Sequence, residues 1–118
     1  MLLAFSVAPS GQPARLAGDS AADSGAGAAS ADASVHDAVA AAVKIVRDSG
    51  LPNHTDSMFT TIEGEWDEVF AVVKKATEAV GRFGSRVSLV IKADIRPGYS
   101  GELTAKVERL ESAIADAG

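Results

Sequence analysis

The residues best suited to binding chemistry lie around one glycine, where a predicted strand passes into a predicted helix. Thr60, Thr61 and Glu63 stand just before Gly64, and Met58 precedes them. A carboxylate at a strand end can point into a crevice, and neighbouring hydroxyls can donate or accept hydrogen bonds. We therefore treat Glu63 as a candidate ligand-binding residue rather than as part of the helix.

A second polar group lies on the last predicted strand, where polar and apolar residues alternate. Ser6 of the first predicted strand could lie beside this group. The charged residues of this group can be interpreted as part of a solvated sheet face with weak ion pairs. They can also be interpreted as part of a face that meets a second subunit and frames a small-molecule pocket. The residues of the polar side are Ser88, Lys92, Asp94 and Arg96.

The composition argues against several other kinds of chemistry. The chain has no cysteine, which excludes a thiol nucleophile, a disulfide scaffold and a thiolate metal site. His36 and His54 lack the spacing of metal ligands, so we expect no metal. The net charge is -5 and no basic run is present, so we expect no nucleic-acid partner.

Hydrophobic periodicity predicts the first half of the fold. Alternating apolar residues over 2–8 predict a strand. A helix is predicted to begin at an N-cap, Ser34, and to end at Gly50, with one apolar stripe along it. Residues 54–63 predict a hairpin that turns near Met58. The residues of the helical stripe are Val35, Val39, Val43 and Val46.

The second half continues with a helix, a strand and a helix. The helix after Gly64 has acidic residues in its first turn, Trp66 in its apolar face, and its end at Gly84. The strand that follows, over residues 87–96, has one apolar face. A C-terminal helix carries a regular apolar stripe of Leu103, Val107, Leu110 and Ile114.

This order of elements predicts an α+β fold of the ferredoxin-like βαββαβ type with an extra C-terminal helix. The sheet is expected to be antiparallel with its helices on one face, which leaves the other face open. We expect a homo-oligomer, because the open face and the last helix both carry apolar residues.

One low-complexity segment interrupts this single domain of residues 1–118. Of the 25 residues from 10 to 34, 21 are Ala, Ser, Gly or Asp, so a flexible insertion is predicted there. No apolar stretch approaches the roughly 18 to 20 residues of a membrane span, and the first nine residues lack a basic region. We therefore expect a cytoplasmic protein without membrane contact.

Four sequence blocks together resemble the thiamine-binding protein family, whose members are small ferredoxin-like proteins. The most characteristic block is Thr-Thr-Ile-Glu-Gly-Glu-Trp-Asp-Glu-Val at residues 60–69. Residues 3–7, 46–51 and 87–96 agree with the same pattern. The resemblance covers the chain outside the insertion at 10–34, where members of the family usually have a short loop.

The resemblance implies non-enzymatic binding of thiamine or its hydroxymethylpyrimidine moiety by a homodimer or homotetramer, with no other cofactor. Glu63 would accept a hydrogen bond from the pyrimidine amine, and its replacement by glutamine is expected to weaken binding more than stability. Strand alternation allows only one of two adjacent threonines into the site. The other implied contacts are hydroxyls from Ser6, Thr60 or Thr61, ring packing by Met58, and orientation of Glu63 or ligand contact by Lys92 and Asp94.

Two other functions stay open at this point. One is a structural or regulatory homo-oligomer without a vitamin ligand. The other is an acid–base enzyme acting on a thiamine-related compound, with a carboxylate pair drawn from Glu63, Glu65 and Asp94.

Overall fold

The structure is a computed structural model that describes residues 1–11 and 27–117, with side chains described for 1–11 and 35–117. Four strands and three α-helices follow one another in the predicted order. A short 3-10 turn, Gly81–Phe83, separates the second helix from the last strand. The elements are β1 (Leu2–Ser10), α1 (Gly27–Asp48), β2 (Asn53–Thr55), β3 (Thr60–Glu63), α2 (Trp66–Val80), β4 (Arg86–Asp94) and α3 (Glu102–Ala117).

The strands form one antiparallel sheet in the order β2-β3-β1-β4, which confirms the α+β ferredoxin-like prediction. In the register of the sheet, Leu3 of β1 lies opposite Ile62 of β3 and Ala93 of β4. The β2–β3 hairpin is also confirmed. Because side chains alternate between faces, this register places every second residue of the central strands toward the helices.

The core lies between the sheet and helices α1 and α2. Leu3 and Ile62 are completely buried, as are residues of both helices. Small side chains of α1 let that helix approach the sheet closely. The buried apolar residues are Leu3, Phe5, Val7 and Ile62 from the sheet, Ala38, Ala42 and Val46 from α1, and Val69, Val72, Val73, Ala76, Ala79 and Val80 from α2.

Helix α1 differs from the sequence prediction in its start and in its buried face. It begins at Gly27, so Ser34 lies inside the helix and the expected loop was wrong for residues 27–34. The run of alanines extends the helix, because alanine has the highest helix propensity. The predicted start of the insertion at residue 10 was also wrong, because Ser10 is the last residue of β1. Residues 12–26 of the predicted insertion lie outside the described residues. Alanines 38 and 42 face the core, whereas Val35 and Val39 are each 41% exposed.

Trp66, which the sequence pattern assigns to the apolar face of its helix, does not lie in the core. Its side chain is 53% exposed and stacks on Phe70, with ring centroids 5.2 Å apart. Trp66 is the first residue of α2, so it lies at the margin of the helix layer. At that position the neighbouring aromatic ring covers one face and water covers the rest.

The last strand and the last helix are largely uncovered. β4 is an edge strand, and Leu89 and Ile91 remain 38% exposed although they belong to the predicted apolar face. The apolar residues Val107, Leu110 and Ile114 of α3 are all more than half exposed. Among the helices that the structure describes, none is both long and apolar enough to cross a membrane.

Candidate functional site

The turn of the β2–β3 hairpin is organised by one aspartate. The Oδ1 atom of Asp56 accepts hydrogen bonds from the backbone N–H of Met58 at 2.8 Å and of Phe59 at 2.9 Å. The backbone N–H of Asp56 in turn donates to the carbonyl oxygen of Phe59 at 3.0 Å. Aspartate at the first position of a turn commonly binds the following amides in this way. The turn is therefore fixed by side-chain as well as main-chain bonds.

These hydrogen bonds also set the charge of the turn. The N–H of Phe59, and next that of Met58, lower the pKa of the Asp56 carboxyl below its usual value. Hydrogen bonds to the charged form of a carboxyl group favour ionisation. The nearby His54 lowers the pKa of Asp56 further, to a smaller extent than the two amides. Asp56 is thus a carboxylate at neutral pH, and its side chain is exposed at the turn.

A cavity of about 220 Å³ lies beside this turn and is partly open to solvent. The cavity exists because β3 pairs with β1 only over Leu2 to Phe5. From Ser6 onward, the edge of β1 that faces β3 has no pairing partner in β3. Helix α1 covers the gap from the sheet's helical side. The residues that line this hairpin pocket are Phe5, Ser6, Val7, Ala8, Val39, Ala42, Val43, Thr55, Asp56, Ser57, Met58, Phe59 and Thr60.

The lining of the hairpin pocket combines apolar walls with a few polar groups at one end. Among the described lining residues, Asp56 is the one charged side chain. The hydroxyls of Thr55 and Thr60 lie 3.1 Å apart and form a hydrogen bond with each other. Pockets for small ligands typically have this mixture of apolar walls and a few placed polar groups. The arrangement suits a small ligand that is largely apolar and carries a positive charge.

Four of the predicted site residues lie elsewhere, on the open face of the sheet. Thr61 and Glu63 of β3 flank β1 on one side, and Lys92 and Asp94 of β4 flank it on the other. Ala4 lies opposite both Thr61 and Lys92 in the register. The sheet therefore brings these four residues near one another.

The Glu63 carboxylate is committed to helix α3. Its Oε2 accepts a hydrogen bond from the backbone N–H of Glu102 at 2.8 Å, and its Oε1 accepts one from Leu103 at 3.2 Å. Glu63 is only 7% exposed. A carboxylate at a helix N-terminus satisfies free amides and interacts favourably with the helix dipole. In the structure, Glu63 thus anchors the N-terminus of α3 to the sheet. Its role in ligand binding stays a prediction.

Asp94 also contacts α3. It forms an ion pair with Lys106, and this partner lowers the pKa of the Asp94 carboxyl. Within α3, the Glu102 carboxylate pairs with Arg109 at 2.5 Å, and this hydrogen bond lowers the pKa of Glu102. Glu63 and Asp94 of the sheet therefore both bind residues in the first turns of α3.

The predicted site residues thus divide between two places. Ser6, Met58 and Thr60 line the hairpin pocket, whereas Thr61 points to the open face, as strand alternation predicted for one of two adjacent threonines. Sequence reasoning missed Asp56. The signal available was an aspartate at the start of the Asp-Ser-Met-Phe turn between two strand segments.

A sequence profile of the family described as thiamine-binding protein matches residues 26–111 of the chain. A UPF0045 protein of Mycobacterium tuberculosis is 55% identical over 78 residues, which is 65% of this chain and 76% of that protein. A UPF0045 protein of Synechocystis is 36% identical over 80 residues, covering 67% of this chain and 66% of that protein.

Solved structures show the same fold. The DUF77 domain of unknown function from Bacillus cereus is 28% identical, with a TM-score of 0.61 over 86% of this chain and 83% of that chain. A candidate thiamine biosynthesis/salvage protein from Thermotoga maritima is 18% identical, with a TM-score of 0.62 over 91% and 96%. At that lower identity, the likeness supports the fold alone.

Proposed function

The chain belongs to the thiamine-binding protein family, and from this premise we propose that it binds thiamine or a related hydroxymethylpyrimidine in the hairpin pocket. The proposal describes a binding protein that leaves its ligand chemically unchanged. A cytoplasmic location belongs to the same proposal, and cell fractionation tests it. The name of the Thermotoga maritima neighbour, a candidate thiamine biosynthesis/salvage protein, is consistent with a thiamine-related role.

The observation that carries the proposal is the ionised Asp56 at the mouth of an apolar cavity. Thiamine joins a permanently cationic thiazolium ring to a flat aminopyrimidine. A cation next to a carboxylate is stabilised by their mutual attraction, and this attraction is larger where water is partly displaced. Met58 and Phe59 offer apolar and polarisable surface for a ring.

The open sheet face supports the proposal less well. Both oxygens of Glu63 are already hydrogen-bonded to α3, and Asp94 is paired with Lys106. Glu63 is nearly buried under these bonds, and the charge of Asp94 is already balanced by Lys106, so neither carboxylate offers an unpaired negative charge to a cationic ligand. The hairpin pocket offers an accessible carboxylate, because the turn uses Oδ1 of Asp56 and the side chain is exposed.

Titration calorimetry with thiamine and with hydroxymethylpyrimidine tests the proposal. Asp56→Asn keeps an oxygen that can accept from the two turn amides but removes the charge. Thiamine affinity should fall roughly three- to tenfold in this variant, because the cation loses its attraction to a carboxylate. Chromatography of the ligand after incubation should show unchanged thiamine.

Asp116→Asn is the matched control. Asp116 is an exposed aspartate near the end of α3 and is absent from the pocket lining. Its replacement makes the same change of net charge and should leave thiamine affinity unchanged. Equal affinities for the two variants would contradict the assignment of the pocket.

A second function is favoured by the uncovered surface of β4 and α3, where several apolar side chains are exposed. A homo-oligomer that uses this surface only for assembly would serve a structural or regulatory role without a vitamin ligand. Absence of heat with thiamine and with hydroxymethylpyrimidine, from a protein that is oligomeric by light scattering, would favour this second function.

A further inference from the structure

We infer that the hairpin pocket selects unphosphorylated thiamine over its phosphate esters and that Asp56 is the residue that determines this specificity. The inference rests on the proposed function, because it concerns the same pocket. It adds the phosphorylation state of the ligand, which the family resemblance and the fold leave open.

The charges around the pocket favour a cation and disfavour an anion. Asp56 contributes a carboxylate, and the described lining residues include no lysine or arginine. A phosphate monoester carries a charge of about -1.5 to -2 at neutral pH. Proteins that bind phosphate groups generally supply arginine, lysine or free backbone amides. The described pocket lacks the cationic side chains that this chemistry requires.

The backbone amides of the turn do not compensate for the missing cations. Consecutive N–H groups in a turn can form an anion-binding concavity. Here the N–H groups of Met58 and Phe59 both donate to Oδ1 of Asp56, at 2.8 and 2.9 Å. The internal carboxylate therefore occupies the position that a phosphate oxygen would take. An external phosphate would meet a negative charge in place of two free donors.

The lysine nearest to the pocket in sequence is also engaged. Lys44 follows the lining residue Val43 on α1, and its Nζ lies 2.6 Å from Oδ2 of Asp48. The chain as a whole carries a net charge of -5, which adds a further unfavourable background for an anionic ligand.

The size of the cavity keeps a phosphorylated substituent close to the turn. Its volume of about 220 Å³ is below the range of about 300 to 1,000 Å³ that is typical for pockets of drug-sized ligands. A pocket of this volume has room for a heterocyclic ring, so we expect the hydroxyethyl arm and any phosphate on it to extend toward the opening. Asp56 and Ser57 lie at that opening, on the exposed turn.

The test compares thiamine with thiamine diphosphate by calorimetry on the wild-type protein, Asp56→Asn and the control Asp116→Asn. The wild type should bind the diphosphate roughly tenfold more weakly than thiamine, and added salt should reduce this ratio of the two affinities. Asp56→Asn should reduce this ratio to about two- or threefold, because the variant removes the repulsion of the phosphates, whereas the lost attraction to the thiazolium weakens both ligands alike. Asp116→Asn should keep the wild-type ratio.

A gain-of-function variant completes the test. Ser57→Lys places a cation beside Asp56 and should raise affinity for the diphosphate while lowering affinity for thiamine. Wild-type protein that binds both ligands equally, or a ratio that Asp56→Asn leaves unchanged, would overturn the inference while leaving thiamine binding in place. Wild-type protein that binds neither ligand would overturn the proposed function, and this inference with it.

Discussion

Replacing Glu63 by glutamine should release helix α3 from the sheet while the rest of the fold stays intact. The Glu63 carboxylate accepts hydrogen bonds from the first two backbone amides of α3, those of Glu102 and Leu103. Glutamine has nearly the same shape, but it offers one acceptor oxygen and directs an NH₂ group toward the other amide. One amide of the helix N-terminus would therefore lose its partner.

The size of the effect follows from these contacts. A hydrogen bond to a charged group contributes about 1.5 to 3 kcal/mol. A negative charge at a helix N-terminus can add up to about 2 kcal/mol in a partly buried position. Because Gln keeps one of the two bonds, we expect the docking of α3 to weaken by about 2 to 3 kcal/mol. This corresponds to a roughly 30- to 150-fold increase in the opening equilibrium of the helix.

The effect should be local because α3 contributes little to the core. Glu102 is the one residue of α3 that is buried, and the apolar core comes from the sheet, α1 and α2. Regions with few buried contacts open independently of the global unfolding transition. We therefore expect Glu63→Gln to weaken the docking of α3, and the sequence-based expectation that it weakens ligand binding more than stability stays a prediction.

Native-state hydrogen exchange measured by mass spectrometry is the assay. In Glu63→Gln, peptides from residues 102–117 should lose protection, whereas peptides from β1 and α2 should keep it. Glu108→Gln is the control, because Glu108 is exposed on the same helix and its replacement makes the same change of charge. Unchanged protection of α3 in Glu63→Gln would refute the reasoning, and equal loss across the whole chain would refute its local character.

The sheet edge, the exposed helix and the ionic contacts of α3 each give a further test. A Cβ on Gly84 would lie 2.5 Å from a β1 carbonyl oxygen, so Gly84→Ala should lower the melting temperature by about 5 °C or more. Gly81→Ala is the control and should leave the melting temperature unchanged, because a Cβ on Gly81 would have no neighbour closer than 3.9 Å. Light scattering should give the wild type a mass of at least twice 12.0 kDa, and Leu110→Asp should lower this mass. A monomeric wild type would contradict the expected homo-oligomer. Lys106 lowers the pKa of Asp94. Their ion pair therefore stabilises the docking of α3 fully above the ordinary pKa of aspartate. This stabilisation is lost as the pH falls through the lowered pKa, below about pH 4. Acid should therefore expose α3 to hydrogen exchange, and Lys106→Met should reduce this dependence; an identical pH profile in the variant would argue against the contact.

The sequence by itself determined the order of the elements and the faces of the central strands. Alternation in residues 2–8 placed Leu3, Phe5 and Val7 on one side of β1, and the structure buries all three. The same rule placed the side chains of Thr60 and Thr61 on opposite faces of the sheet. These predictions succeed because side-chain direction in a strand has a fixed period of two, which is a local property of the backbone.

Only the tertiary structure decided which side chains are covered and by what. Local periodicity could not show that Ala38 and Ala42, rather than Val35 and Val39, face the sheet, because close approach of a helix favours small residues. It also could not show that Glu63 binds the first amides of a helix about 40 residues further along the chain. The hairpin pocket arises where β3 ends before β1 and α1 covers the gap, so it depends on the relative lengths and packing of three separate elements. No single segment of sequence encodes such a juxtaposition, because the free energy that selects it comes from contacts between distant parts of the chain.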